Sequence, residues 1–428
     1  MLKKFCKYVF PAMLAFMFSG LYCIVDGFFV GQNIGDVGLA AINIAYPIAA
    51  FIQAVGTGIG MGGAVLISEY RGKNDENMQQ HVLATTLKML IVACIIMMIG
   101  LFLCYRPLLH FLGAEGTVYQ EALIYTKIII IGIFFQTLAV GLTPILRNFS
   151  AVLLAMMSMI IGFVTNIILD YLFVSRFQYG IAGAAWATII GQAAALMPCM
   201  IFILFKIKRY KKSKLGFNLP LSIIKIGCSP FGLTMSPNII LILMNKYCMM
   251  VDGSVAVAAY AVIAYVHAII LLLLQGVSDG SQPMLSFYYG CHQFNSLSII
   301  KRYSYILATI VALLNIIIIL MFNTYIPQFF NASPQASEMV IKYMPSFAIS
   351  SIFAAICRVS SAYCYSTHRH QDAYLLIYGE IFILWALLII LPRWLNIDGV
   401  FYAMAFMQII MCCVSIYVMK LKKQEHIS

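Results

Sequence analysis

Charge is scarce in this sequence. Asp, Glu, Lys and Arg make up 10% of its 428 residues, and only 15 residues are acidic. With 63% hydrophobic residues and a mean hydropathy of +0.94, that shortage excludes an ordinary soluble domain. Long polar connections are missing too, so no sizeable extramembrane domain is expected. The chain has 12 cysteines but no paired C-x-x-C spacing. Nearly all of them lie inside apolar runs, where they read as small buried hydrophobes and not as disulfide partners or metal ligands. Nothing has the pattern of a hydrolase triad or a zinc-binding helix, and an enzyme is not expected. No cofactor is called for.

What the chain does have is apolar length. Runs such as "MLIVACIIMMIGLFLCY" (89–105), "IIIIGIFFQTLAVGL" (128–142) and "YILATIVALLNIIIILMF" (305–322) are too long for strands and do not alternate with period two. They are membrane-spanning helices of about 20 residues each. The fold class is therefore an all-α polytopic membrane protein with about twelve transmembrane helices. These begin near residues 8, 43, 84, 122, 151, 181, 223, 255, 303, 336, 371 and 397. The first run is as long as a span and carries Asp26 in place of a small-residue cleavage pattern, so it is read as retained and not as a signal peptide.

Orientation follows from the basic residues, because cytoplasmic loops retain Lys and Arg. Lys3, Lys4 and Lys7 precede the first span, Arg71 and Lys73 follow the second, and Lys206 to Lys214 follow the sixth; Lys301 and Arg302 follow the eighth, and Lys420, Lys422 and Lys423 close the chain. An even span count puts all of these on one side and leaves Arg106, Arg176 and Arg393 by the other. Both termini are expected in the cytoplasm, with the protein in the plasma membrane, the inner membrane of a bacterium. The net charge of +12 is then a topological signal. "KIKRYKKSK" (206–214) has no nucleic-acid-binding context around it and is expected to meet anionic lipid headgroups.

Two motifs fail on context. "GIGMGG" (58–63) contains G-x-G-x-x-G, but no strand precedes it and no ribose-binding carboxylate follows about 20 residues on. Its glycines are expected to allow close helix packing. "THRHQD" (367–372) places His368 and His370 in a loop without a Cys partner, which reads as a solvated turn. More informative is a repeat. Gly58 and Gly276, Gly62 and Gly280, Ser68 and Ser286, and Gly72 and Gly290 are each 218 positions apart. "RNFSA" (147–151) and "RVSSA" (358–362) match at a slightly shorter offset. An even number of spans separates the copies, so two halves of the same orientation are expected, as in transporters built from parallel repeats. The expected organisation is a six-helix lobe at 1–205, a basic linker at 206–222 and a second six-helix lobe at 223–428.

Within the spans, polar groups stand out by their rarity. An ionisable group in the hydrocarbon region normally faces a partner or a pathway. Asp26 in the first span, Asp170 in the fifth and Thr188 in the sixth fall at similar depth in the outer half when residues are counted at about 1.5 Å each. Tyr22 lies one turn from Asp26 and Asn166 one turn from Asp170, so each pair shares a helix face. These oxygen donors suit a small cation, and equally a shared proton. The same cluster also fits a hydrogen-bonded fastening of spans one, five and six. Asp279 and Gln275 in the eighth span and Glu380 in the eleventh are candidate cavity or second-lobe sites, or packing groups. His267 reads as a satisfied bundle histidine or a proton relay. Pro230 and Pro237 mark a bendable seventh span. Met235, Met244 and Tyr265 are either core or an adaptable substrate surface.

"LYCIVDGFFVGQNIGDVGLAAINIAYP" (21–47), "ISEYRGKND" (67–75), "NIILDYLF" (166–173) with "GIAGAAWAT" (180–188), and "QPMLSFYYG" (282–290) together resemble the multidrug and toxic compound extrusion (MATE) transporters. The resemblance implies two pseudo-symmetric six-helix lobes around a central cavity. It also implies export of amphiphilic or cationic drugs in exchange for H+ or Na+, and a first-lobe coupling site at Asp26, Asp170, Asn166, Thr188 and Tyr22. A monomer in contact with membrane lipids is expected. A second-lobe carboxylate site of the kind some members carry on the seventh and tenth helices does not transfer, because the seventh span (223–250) has no Asp or Glu at all. Ser150 stands where the family often has the Gly of R-x-x-G. The alternative from the same superfamily is a lipid-linked oligosaccharide flippase. That activity calls for several basic residues within the spans, whereas here they fall largely at loops, with Arg147, Lys225, Lys246 and Arg358 near span ends.

Overall fold

A computed structural model describes residues 1–207, 218–330 and 332–421, and among these residues every regular element is helical. In chain order the helices are α1 (Leu2–Asn33), α2 (Asp36–Gly72), α3 (Glu76–Phe111), α4 (Gly116–Ile131), α5 (Ile133–Asn148), α6 (Val152–Asp170), α7 (Gly180–Lys206), α8 (Asn218–Gly290), α9 (Phe294–Phe322), α10 (Ile326–Phe329), α11 (Pro334–Ser366), α12 (His370–Ile390) and α13 (Pro392–Leu421). The start signals are local. Asp75 caps α3 by accepting the Met78 N–H at 2.9 Å, and Ser333 caps α11 ahead of Pro334 in its first turn.

Ten of the described helices are long and apolar enough to cross a membrane, and α4 with α5 form a further span bent by 57°. The 73 residues of α8, about 110 Å if straight, exceed a bilayer core of about 30 Å several-fold. They break at Gly253, whose φ of 74° is outside the helical range and natural only for glycine. Counted as two spans, α8 brings the total to the twelve expected. The fourth span departs from the expected continuous helix, because it turns sharply at Gly132. Large apolar side chains such as Ile96, Leu103 and Phe205 point outward, as a lipid-facing surface requires.

The chain forms two compact units that do not divide it at one point. One comprises Leu14–Thr234 with Ser286–Gln293; the other comprises Met1–Met13, Met235–Leu285 and Phe294–Ser428. The repeat explains the pattern. In the first unit Gly58 lies so close to the Gly227 carbonyl that a Cβ would stand 2.9 Å from its oxygen; in the second, a Cβ on Gly276 would stand 2.6 Å from the Met13 Cα. The two contacts are related by the same 218-residue offset, within a few residues. Gly72 and Gly290 abut the carbonyls of Phe287 and Glu69 respectively, so "YRG" and "YYG" pack reciprocally. These glycines allow close backbone packing, as the failed dinucleotide motif implied.

Candidate coupling site

The first unit gathers the polar residues of four helices. Asp170 ends α6 fully buried, and Asn166, one turn earlier on the same face, is 3% exposed. Directly after Asp170 the chain widens into a six-residue π-helical turn, Tyr171–Arg176, closed by Phe177 N–H donating to the Leu172 carbonyl at 2.8 Å. Such turns recur at functional sites. The Asn33 amide at the end of α1 donates to Ser175 Oγ at 3.0 Å, and Val30, Val174 and Ala184 form a small buried core beside it. Together they fix α1, the π turn and α7 against one another. α6 and α7 cross closely at Gly191, where a Cβ would stand 2.9 Å from both the Gly162 oxygen and the Asn166 Cβ.

The carboxyl groups of Asp26 on α1 and Asp170 on α6 meet within hydrogen-bonding range. Both Asp170 oxygens, Oδ1 of Asp26 and both amide atoms of Asn166 are buried with no donor or acceptor to satisfy them. Two carboxylates offer only lone pairs, so they bond to each other only through a shared proton or a cation between them. Unsatisfied buried polar atoms are rare in folded proteins, and this cluster gathers five of them. Thr188 on α7 completes one wall. Its hydroxyl donates to the Ala184 carbonyl at 3.0 Å, and the hydroxyl of Tyr125 on α4 lies close beside it.

Tyr125 was not among the expected residues. It is buried, and the charges of Asp26 and Asp170 both act on its hydroxyl. Its run, "EALIYTKIIII", has no nearby acid within the apolar part, and a lone Tyr there signals nothing by type. Tyr22 lies one turn before Asp26 on α1, but its side chain lies outside the described residues. Asp26, Asp170 and Thr188 are thus brought together with Tyr125, and Asn166 lies on the Asp170 face. These side chains are the ones suited to hold a small cation.

In the second unit the expected polar residues meet an unexpected partner. Gln275 donates to Asp279 Oδ1 at 2.6 Å, and Arg358 Nη1 on α11 donates to Gln275 Oε1 at 3.0 Å. Arg358, read from sequence as lying near a span end, is 6% exposed, and its charge acts on both Glu380 on α12 and His267. His267 is not a satisfied bundle histidine. Neither ring nitrogen has a hydrogen-bond partner, because the ring packs edge-on to Phe347, with centroids 5.9 Å apart. Met244 is fully buried and so is core, whereas Tyr265 stacks on Phe330.

The MatE family model matches residues 11–172 and 232–378. The chain is 24% identical over 319 residues to the multidrug export protein MepA of Staphylococcus saprophyticus, covering 73% of this chain and 70% of that one. It is also 24% identical over 340 residues to MepA of Staphylococcus haemolyticus, covering 78% and 74%. Among solved structures, an outward-facing multidrug resistance MATE transporter of the MOP superfamily superposes with a TM-score of 0.91 at 19% identity, covering 98% of this chain and 95% of the other.

Proposed function

The chain belongs to the MatE family of membrane transporters, and from that premise we propose that it exports amphiphilic, cationic compounds across the plasma membrane in exchange for H+ or Na+. The observation that carries the reading is the buried Asp26–Asp170 pair, which meets no donor of its own. A proton or sodium ion entering between the carboxyls neutralises their mutual repulsion and draws α1 and α6 together. Thr188 and Asn166 supply further oxygen donors, and Tyr125 holds the Thr188 hydroxyl in place. The exchange works because ion and substrate favour different packings of α1, α6 and α7. A coupling of about 1 to 3 kcal/mol, a 5- to 150-fold change in affinity, is sufficient without contact between the two ligands. Export of drugs is the activity named for the staphylococcal relatives, and it agrees with a site lacking fixed positive charge in the first unit's polar cluster. The transporter acts as a monomer with both termini in the cytoplasm.

The test is efflux of a cationic dye from vesicles containing the purified chain, with sodium and pH gradients imposed separately. One gradient drives efflux by the parent. Asp26→Asn and Asp170→Asn bind dye but lose gradient-driven efflux. Parental efflux by both variants refutes the assignment of the pair as the coupling site.

A further inference from the structure

A groove of about 350 Å³ opens on the second unit between α9, α11 and α13. Lys301 of α9 and Lys420 of α13 stand on its rim, and Thr309, Ile356, Ile416 and Met419 line it. Beneath the lysines lies a knot of hydroxyls. Tyr305 and Ser360 meet at 2.7 Å, Ser415 donates to Ser360 at 2.6 Å, and Ser360 donates to the Ile356 carbonyl at 2.7 Å. Since Ser360 spends its single proton on that carbonyl, Tyr305 is the donor in its pair. The knot ties the three helices together one turn deeper than the two ammonium groups.

The lysine positions are held from behind. The Lys301 ammonium lies over the Tyr363 ring, 4.7 Å from its centroid. The end of α13 is pinned by Arg369, whose Nη2 donates to the Val418 carbonyl at 2.9 Å. Lys301 sits near the start of α9 and Lys420 near the end of α13, so both mark the same membrane boundary. Two cations there, above an apolar slot facing lipid, match the chemistry of an anionic phospholipid: phosphate outward, acyl chain inward. A cationic substrate is repelled by the same pair.

We propose that this groove seats one anionic phospholipid, its phosphate between Lys301 and Lys420 and one acyl chain along Ile356, Thr309 and Ile416. Both free hydroxyl protons of the knot are already donated to Ser360, so phosphate recognition falls on the lysines and the knot sets their spacing. The slot, by contrast, holds the chain and separates a seated lipid from diffuse attraction to a charged surface.

Native mass spectrometry of the purified full chain, titrated with equal concentrations of dioleoyl-phosphatidylglycerol and dioleoyl-phosphatidylcholine, tests the seat. The parent retains one phosphatidylglycerol in preference to phosphatidylcholine, and excess inorganic phosphate does not displace it. Lys301→Gln with Lys420→Gln weakens that binding roughly thirtyfold, as the loss of two lysine–headgroup attractions implies. Lys301→Arg with Lys420→Arg retains it, and Ile416→Trp, which fills the slot and keeps both charges, lowers it by a similar factor. Equal binding of the two lipids by the parent, displacement by inorganic phosphate, or unchanged binding in Ile416→Trp overturns the proposal.

Discussion

Replacing Asp170 with Asn is the most exacting perturbation of the proposed coupling site. The side chain is fully buried, its two oxygens meet no donor, and it faces a second carboxyl, that of Asp26. The amide removes one acid and supplies an N–H that donates to Asp26. A hydrogen bond to a charged acceptor contributes about 1.5 to 3 kcal/mol, so in the absence of coupling ion the variant should be more stable than the parent. The opposite holds for ion binding. A cation about 4 Å from a carboxylate gains about 4 kcal/mol at an effective dielectric constant of about 20, so losing one of two carboxylates should weaken ion affinity by roughly three orders of magnitude. The assay is thermal unfolding of purified protein against ion concentration. The parent should gain about 2.7 kcal/mol of stabilisation at an ion concentration about 100 times its dissociation constant, while Asp170→Asn starts higher and stays flat. A variant that begins less stable and keeps the parental ion response would refute the argument, because Asp170 would then be a fastening group with an ordinary partner.

Ser150 has a φ of 66°, where a non-glycine residue costs about 1 to 2 kcal/mol, and its hydroxyl accepts from Arg71 at 2.8 Å. Arg71 also donates to the Asn148 carbonyl, so Ser150→Gly keeps half the anchor and should raise the melting temperature; Ser150→Val, checked in the same melt, should lower it. Arg358→Gln removes a charged donor from half-buried Gln275 and should destabilise by about 1.5 to 3 kcal/mol; adding Glu380→Gln should recover part of the loss, read by thermal unfolding of the single and double variants. For sidedness, an impermeant thiol reagent outside intact cells should label Cys placed at Ser333 and miss Cys placed at Ser213, a position outside the described residues. Labelling at Ser213 would reverse the orientation.

The fold was legible because hydrophobic length and charge scarcity are properties of long stretches, and they survive any local error. The repeat was legible for a related reason. Its glycines hold positions that close backbone approach dictates, as Gly58 against Gly227 and Gly276 against Met13 show. The breaks were harder to see. Gly132 and Gly253 look like many other glycines in apolar helices, and only the tertiary packing decides which of them bends. The candidate coupling site was half legible on the same grounds. Asp26 and Asp170 were visible because a carboxylate in hydrocarbon demands an explanation, and helix depth alone put them at one level. Tyr125 carries no such penalty in sequence, since its hydroxyl can be satisfied by any carbonyl nearby; only the meeting of α4 with α7 assigns it to Thr188.

Arg358 shows the limit of counting residues from span ends. It lies eight residues before the end of α11, close enough to a boundary for a long side chain to reach water by snorkelling. The guanidinium turns inward because Gln275 accepts from it at 3.0 Å while donating to Asp279, and because Glu380 is buried within its electrostatic reach. The second unit therefore carries its own fixed cation among its acids, and the first unit's Asp26–Asp170 pair has none. Under the proposed antiport, that difference argues for exchange at the first unit's pair. It also makes a definite demand on the double variant Arg358→Gln, Glu380→Gln: with the second unit's charges removed together, ion dependence of efflux should remain that of the parent, because the exchanging carboxyls are untouched. Loss of ion dependence in a folded double variant would move part of the coupling into the second unit.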